Sequence, residues 1–250
     1  MVHRCQPLCS ECRSDGRRAE EFVRIKAMPA KPYFSPDLYD FLRKLKRNNR
    51  RPWFEKHRDD YVRLAKEPAI RFISEFAAHL ERLSPYLVAD PRPHRGSMFR
   101  IYRDTRFSHD KRPYKTHVAM HFSHPGKDVH SPGFYLHLEP GASFAAAGLW
   151  HPDARTLLRV RNAMVSRVAE WRAVRHLINW DDAGRLTRPP RGFPANHEFI
   201  EDLKLRDIGV SIELTDKQVC SPRFMQTWVR ACEKMSPVAR FLSDALALKF

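Results

Sequence analysis

Gly133-Phe134-Tyr135-Leu136-His137-Leu138-Glu139-Pro140-Gly141 is the stretch on which the fold turns. Phe134, Leu136 and Leu138 alternate with Tyr135, His137 and Glu139, the period of two that belongs to a strand and not to a helix. Pro140-Gly141 then supplies a turn. An apolar triplet facing one way and a polar triplet facing the other indicate an antiparallel sheet with one covered and one open face. Upstream, Val118, Met120 and Phe122 alternate with His117, Ala119 and His121, and Pro125-Gly126 follows as a second turn. Earlier still, Phe99 and Ile101 alternate with Arg100 and Tyr102, which reads as the first strand. Downstream, the small apolar run from Ser143 to Trp150 reads as another strand, and Val210, Ile212 and Leu214 offer one more.

Helical signals flank this region on both sides. Ser35-Pro36-Asp37 combines an N-cap, a proline at the first helical position and an acid in the first turn. Leu38, Phe41, Leu42 and Leu45 follow at helical spacing, and a basic run (43–47) ends before Asn48-Asn49. Pro52 restarts a helix carrying Trp53, Phe54, Tyr61 and Leu64. Pro68 restarts another with Ile70, Ile73, Phe76, Ala77, Leu80 and Leu83 on one face. Beyond the sheet, Pro152-Asp153 begins a long helix with Leu157, Leu158, Met164, Val168 and Trp171 on one side. A short helix is expected near 198–203. Ser221-Pro222 and Ser236-Pro237 mark the starts of two terminal helices, 222–235 and 237–248. The expected fold is α+β: an antiparallel sheet of about four or five strands, within 98–150 and extended by 210–214, packed against N- and C-terminal helices. Residues 33–250 read as one domain.

Composition limits what the chain can be. Of 250 residues 42% are hydrophobic, which fits a globular protein. Lys and Arg number 45 against 29 acids, a formal charge of +16 that attracts phosphates, nucleic acid or acidic surfaces. No apolar run approaches the roughly 20 residues of a membrane span, and no charged start leads into an apolar signal core. The expectation is therefore a cytoplasmic protein without a membrane partner. The five cysteines are too unevenly placed for a disulfide framework. Cys220 and Cys232 read as buried thiols of helical segments. Cys5, Cys9 and Cys12 form C-x3-C-x2-C, a spacing that radical-SAM enzymes use for an iron–sulfur cluster. No barrel-like strand–helix repeat follows, and no fourth thiol or His pair lies nearby to complete a zinc site. Residues 1–30 are thus expected to be a disordered tail outside the domain, with Met28 as an alternative start.

Chemistry concentrates between residues 94 and 115. Arg95, Arg100, Arg103, Arg106, Lys111, Arg112 and Lys115 stand there against only two acids, Asp104 and Asp110. Arg presents a planar fork of donors matched to carboxylate and phosphate. Arg100, Arg103, Arg106, Lys111, Tyr114 and Lys115 are therefore the candidate anion-binding residues. Asp104 and Asp110 are candidate catalytic acids or holders of a divalent cation against a phosphate; equally, they fit a structural ion-pair network pinning a loop. The polar triplet Tyr135, His137 and Glu139 is the second candidate, with His117 and His121 on the same side. A His–Glu pair there suits acid–base work or a divalent metal, although no ligand spacing such as H-x-x-x-H is present. A third is the basic corner Asn48-Asn49-Arg50-Arg51-Pro52-Trp53-Phe54, which reads as a nucleic-acid contact with Trp53 stacked on a base or as a helix–loop–helix corner with its aromatics in the core. No phosphate-binding glycine loop, dinucleotide fingerprint or nucleophile elbow occurs.

The pattern Arg100-x-x-Arg103-Asp104-x-Arg106-Phe107-x-x-Asp110-Lys111-x-Pro113-Tyr114-Lys115 resembles the signature of the uncharacterised conserved family catalogued as domain of unknown function 2461. Asn48-Asn49 with Trp53-Phe54, the run Gly133 to Gly141, and Arg188-Pro189-Pro190-Arg191-Gly192-Phe193 support it over about residues 33–250. Ala146-Ala147-Gly148-Leu149-Trp150 departs from the glycine-richer run associated with that family. The resemblance implies kinship and no known activity. From the residues themselves, the expected function is binding of an anionic small molecule or phosphate, extended to an enzyme acting on such a substrate. The alternative is a basic nucleic-acid-binding or adaptor module whose signature is a structural ion-pair network.

Overall fold

The computed structural model describes residues 31–126, 131–180 and 184–250. Cys5, Cys9, Cys12 and the whole of the expected N-terminal tail lie outside the described residues. The sheet has four strands, β1 (Val118–Ser123), β2 (Gly133–Leu138), β3 (Ser143–Leu149) and β4 (Ile208–Leu214), in sequence order with each neighbouring pair antiparallel. Alternation in these segments behaves as the pleat requires. Val118, Met120, Phe122, Phe134, Leu136, Leu138, Ala145, Ala147 and Leu149 are all buried. Gly141 turns β2 into β3 with a φ of 72°, a left-handed conformation open to glycine at little cost.

Helices cover one face. They are α1 (Pro36–Arg47), α2 (Arg51–Lys56), α3 (Arg58–Tyr61), α4 (Glu67–Leu83), α5 (Ala154–Ser166), α6 (Val168–Val174), α7 (Ile200–Leu203), α8 (Asp216–Val219) and α9 (Phe224–Ala245). Phe76 of α4 meets Phe122 of β1 edge-on at 4.8 Å and Trp228 of α9 at 5.6 Å. Rings of this size dominate core energetics through the area they bury. The core continues without interruption from Phe34 to Leu242.

Several boundaries differ from the sequence expectation. The helix of Pro68 is not a fresh start: a π-helical turn, Val62–Lys66, joins α3 to α4. Pro68 removes one backbone donor, and the wider turn ends directly before that defect. The long helix expected from Pro152 breaks at Arg167 into α5 and α6, and Leu158, expected on the buried side, is 47% exposed beside the α5 stripe of Leu157, Val160 and Met164. Conversely, the two expected terminal helices are one, with Pro237 inside α9. Cys232, Met235, Val238, Ala239 and Leu242 continue a single buried stripe through the proline, and packing along it outweighs the lost hydrogen bond.

The expected first strand also changes character. Residues 97–103 run antiparallel along the free edge of β1, tied by Phe99 N–H to Ala119 O at 2.9 Å and by His121 N–H to Ser97 O at 2.8 Å. Bridges join Met98 to Met120 and Tyr102 to Tyr114. Between these bridges residues 115–119 oppose only residues 99–101, so the far side carries two extra residues. This bulge breaks the alternation. Ile101 is only 6% exposed, whereas the Phe99 ring lies 6.1 Å from that of Tyr135 on the open face.

Candidate functional site

The sheet's open face is where chemistry-bearing side chains meet. Successive register places His137 of β2 opposite Ala119 of β1 and Phe144 of β3. The register Val118 to Leu138, continued one step, sets His117 across from Glu139. The His117 and His137 rings are 4.2 Å apart, and the Phe144 ring stacks on His137 at 4.8 Å. Tyr135 Oη is 3.0 Å from His137 Nδ1, and His137 Nε2 is 3.2 Å from Glu139 Oε2. A carboxylate only accepts, so Nε2 carries the proton and Nδ1 accepts from the Tyr135 hydroxyl. Tyr135, His137 and Glu139 thus form one hydrogen-bonded chain. Glu139 divides its oxygens: Oε2 meets His137, and Oε1 is 3.5 Å from Lys46 Nζ on α1.

Burial sets the electrostatics of this face. It pushes the Tyr135 phenol up to about 12, with Glu139 adding to the rise. Burial lowers the His117 imidazole to about 4, helped by His137 and Lys115 and opposed by Glu139. The His137 imidazole is lowered by burial against the pull of Glu139. Both rings are held in their neutral, ligand-competent form. The Lys115 ammonium is lowered by burial and then by nearby Arg100, and it lies 4.9 Å over the Phe99 ring. Arg100 is exposed.

The remaining signature residues are arranged differently. Asp104 and Asp110 each accept from the backbone N–H two residues on and from that residue's guanidinium, Arg106 and Arg112 respectively. Asp90 does the same with Arg92, so Asp-x-Arg is a recurring turn device here. Arg103 joins Asp110 at 2.6 Å, and Lys111 donates to Thr105 O. The Asp104 carboxyl is held down to about 2, chiefly by Arg106, and Asp110 lower still by Arg112 and Arg103. Both acids lie in the loop between Arg103 and Pro113, bound to its own arginines.

A pH titration checks this loop arrangement. The folded value of Asp104 lies below the usual value of about 3.9. Its contribution to stability is therefore present above about pH 4 and lost as pH falls toward 2. The exposed pair contributes little to global stability. The expected readout is a carboxyl chemical-shift midpoint near 2 for Asp104, returning to the ordinary range in Arg106→Ala.

Tyr114 takes a core position. It is 1% exposed, and its ring stacks on Phe54 at 4.1 Å, away from solvent anions. Its backbone is held by Asn49, which donates Nδ2–H to Tyr114 O at 2.9 Å and accepts from Tyr114 N–H at 3.0 Å. The sequence signal for this contact is the Asn48-Asn49 pair, which reads there as a helix end, as part of the basic corner and as part of the family pattern. Asn179 grips Ser211 on the outer edge of β4 in the same bidentate way. In the basic corner, Trp53 stacks on His57 at 4.0 Å, Phe54 is buried, and Arg43 pairs with Asp40 and Asp216.

No helix among the described residues is long and apolar enough to cross a membrane. No curated protein and no solved structure matches the chain. A family model described as a conserved hypothetical protein, DUF2461, matches residues 37–241.

Proposed function

The chain belongs to the conserved hypothetical protein family DUF2461, and from that premise we propose that it binds a small phosphate-like anion on the open sheet face and handles a proton beside it. One observation carries the reading: the signature's acids are already occupied. Asp104 and Asp110 bind Arg106, Arg112 and Arg103. Among the described residues, Arg100 and Lys115 have no carboxylate within ion-pair distance. A partly desolvated, unpaired ammonium is costly, and an anion arriving there offsets the cost. Next to it, the Tyr135–His137–Glu139 chain is an acid–base pair with its tautomer set, the arrangement general acid–base chemistry on a phosphorylated or otherwise anionic substrate requires.

Calorimetric titration of the full chain with inorganic phosphate, in the presence of a chelator, tests it. Each charge-assisted contact contributes about 1.5–3 kcal/mol. Lys115→Ala and Arg100→Ala are each expected to weaken phosphate binding about 10- to 100-fold. Arg92→Ala removes the same charge from a turn outside the site and leaves the affinity unchanged. An equal loss in Arg92→Ala, or no phosphate binding by the parent chain, would sink the proposal.

A further inference from the structure

We propose that the same face holds one divalent transition metal of the zinc class, ligated by His117, His137 and Glu139. One nitrogen from each imidazole and one carboxylate oxygen lie within 4.8 Å of one another. Ligands about 2.0–2.2 Å from zinc stand about 3.3 Å apart in a tetrahedron. The His137 Nε2 to Glu139 Oε2 separation, 3.2 Å, already equals that spacing. His117 closes the third side from the bulged segment, where β1 leaves regular pairing with residues 97–103. Two imidazoles and one carboxylate are a donor set that selects zinc-like ions over magnesium or calcium, which prefer oxygen alone.

For His137 and Glu139 the surrounding contacts are those a metal ligand needs. A ligating histidine has its second nitrogen held by a hydrogen-bond partner. Tyr135 Oη stands at that place, 3.0 Å from His137 Nδ1. Phe144 stacks on the same ring and fixes its plane. Lys46 anchors Oε1 of Glu139 and leaves Oε2 for the ion. On binding, the His137 proton moves from Nε2 to Nδ1, so the ring stays neutral and Nε2 is freed. Tyr135 then accepts from Nδ1–H, and its own hydroxyl hydrogen turns away from the ring. A dication with one carboxylate leaves a centre of net charge +1 beside the unpaired Lys115 and Arg100. That balance calls for an anionic fourth ligand. In this last respect alone the inference rests on the anion reading above.

Zinc titration against a chromophoric indicator, without phosphate, tests the site. The protein is the full chain, compared with a chain carrying Cys5→Ser, Cys9→Ser and Cys12→Ser. One zinc per chain is expected to remain after the cysteine changes. In that background His117→Ala and His137→Ala weaken zinc at least 100-fold, and Tyr135→Phe about 10-fold. Glu139→Gln keeps the side chain's shape, weakens zinc comparably, and serves where an alanine variant melts early. The proposal is overturned if zinc is lost with the cysteines, if the histidine variants bind zinc as tightly as their parent, or if magnesium competes on equal terms. The metal assay contains no phosphate and the phosphate assay contains chelator, so either reading fails without the other.

Discussion

Asn49→Ala is expected to cost about 2–4 kcal/mol of stability and to abolish phosphate binding together with the order of the signature arm. The side chain satisfies both backbone groups of Tyr114, a residue that is 1% exposed. Each buried polar group left without a partner costs about 1–3 kcal/mol. Partial exposure of Asn49 admits some water, which keeps the sum below the upper limit. Asn49→Asp separates geometry from chemistry: it still accepts from Tyr114 N–H but sets a second acceptor against Tyr114 O. Its loss is expected to match that of alanine. Urea unfolding gives the free energy, and amide exchange at Tyr114 reports the local effect. If Tyr114 exchanges as slowly in Asn49→Ala as in the parent, the clamp is not what holds the arm. The functional consequence follows from the chain: Lys115 is the next residue after Tyr114 and His117 the third, so a loose Tyr114 loosens both.

Phe76→Ala is expected to be the most destabilising single change, about 3–5 kcal/mol. Phe76 is fully buried and touches Phe72, Phe122 and Trp228, so it joins α4 to β1 and to α9. Truncation leaves a void lined by rigid rings, which cannot collapse into it as flexible aliphatic chains do. Phe76→Leu refills most of that space, and its loss is expected to be clearly smaller. Thermal unfolding of the two variants checks the order. Equal loss in both would mean that ring contacts, not volume, dominate at this position.

The sheet was legible because its information is local. Phe134, Leu136 and Leu138 against Tyr135, His137 and Glu139 need only the two-residue period of a strand, and the same holds for 118–122. Their shared face followed from parity alone. Other features lay beyond local signals. The alternation at 99–102 suggested a regular strand, yet a bulge opposite it sends Phe99 and Ile101 into different surroundings. Bulges depend on the partner segment, which no periodicity in one segment records. Ser236-Pro237 carries a strong helix-start signal, and a buried stripe on both sides of it overrode that signal. The grouping of charges was also misleading at short range. Asp104 and Asp110 are near Arg100 and Lys115 in sequence, but their oxygens go to Arg106, Arg112 and Arg103.

What the sequence alone determined was the α+β class, the antiparallel strands, the family signature and the polar parity of Tyr135, His137 and Glu139. These rest on repeat periods, turn residues and composition, all properties of neighbouring positions. Only the tertiary structure decided which charges remain unpaired and which imidazoles meet. Pairing is a contest among donors for few acceptors, settled by distances a sequence does not contain. His117 and Glu139 are 22 positions apart in the chain, and register alone brings them face to face. The loop's acids pair with Arg103, Arg106 and Arg112, and Arg100 and Lys115 stand outside those pairs.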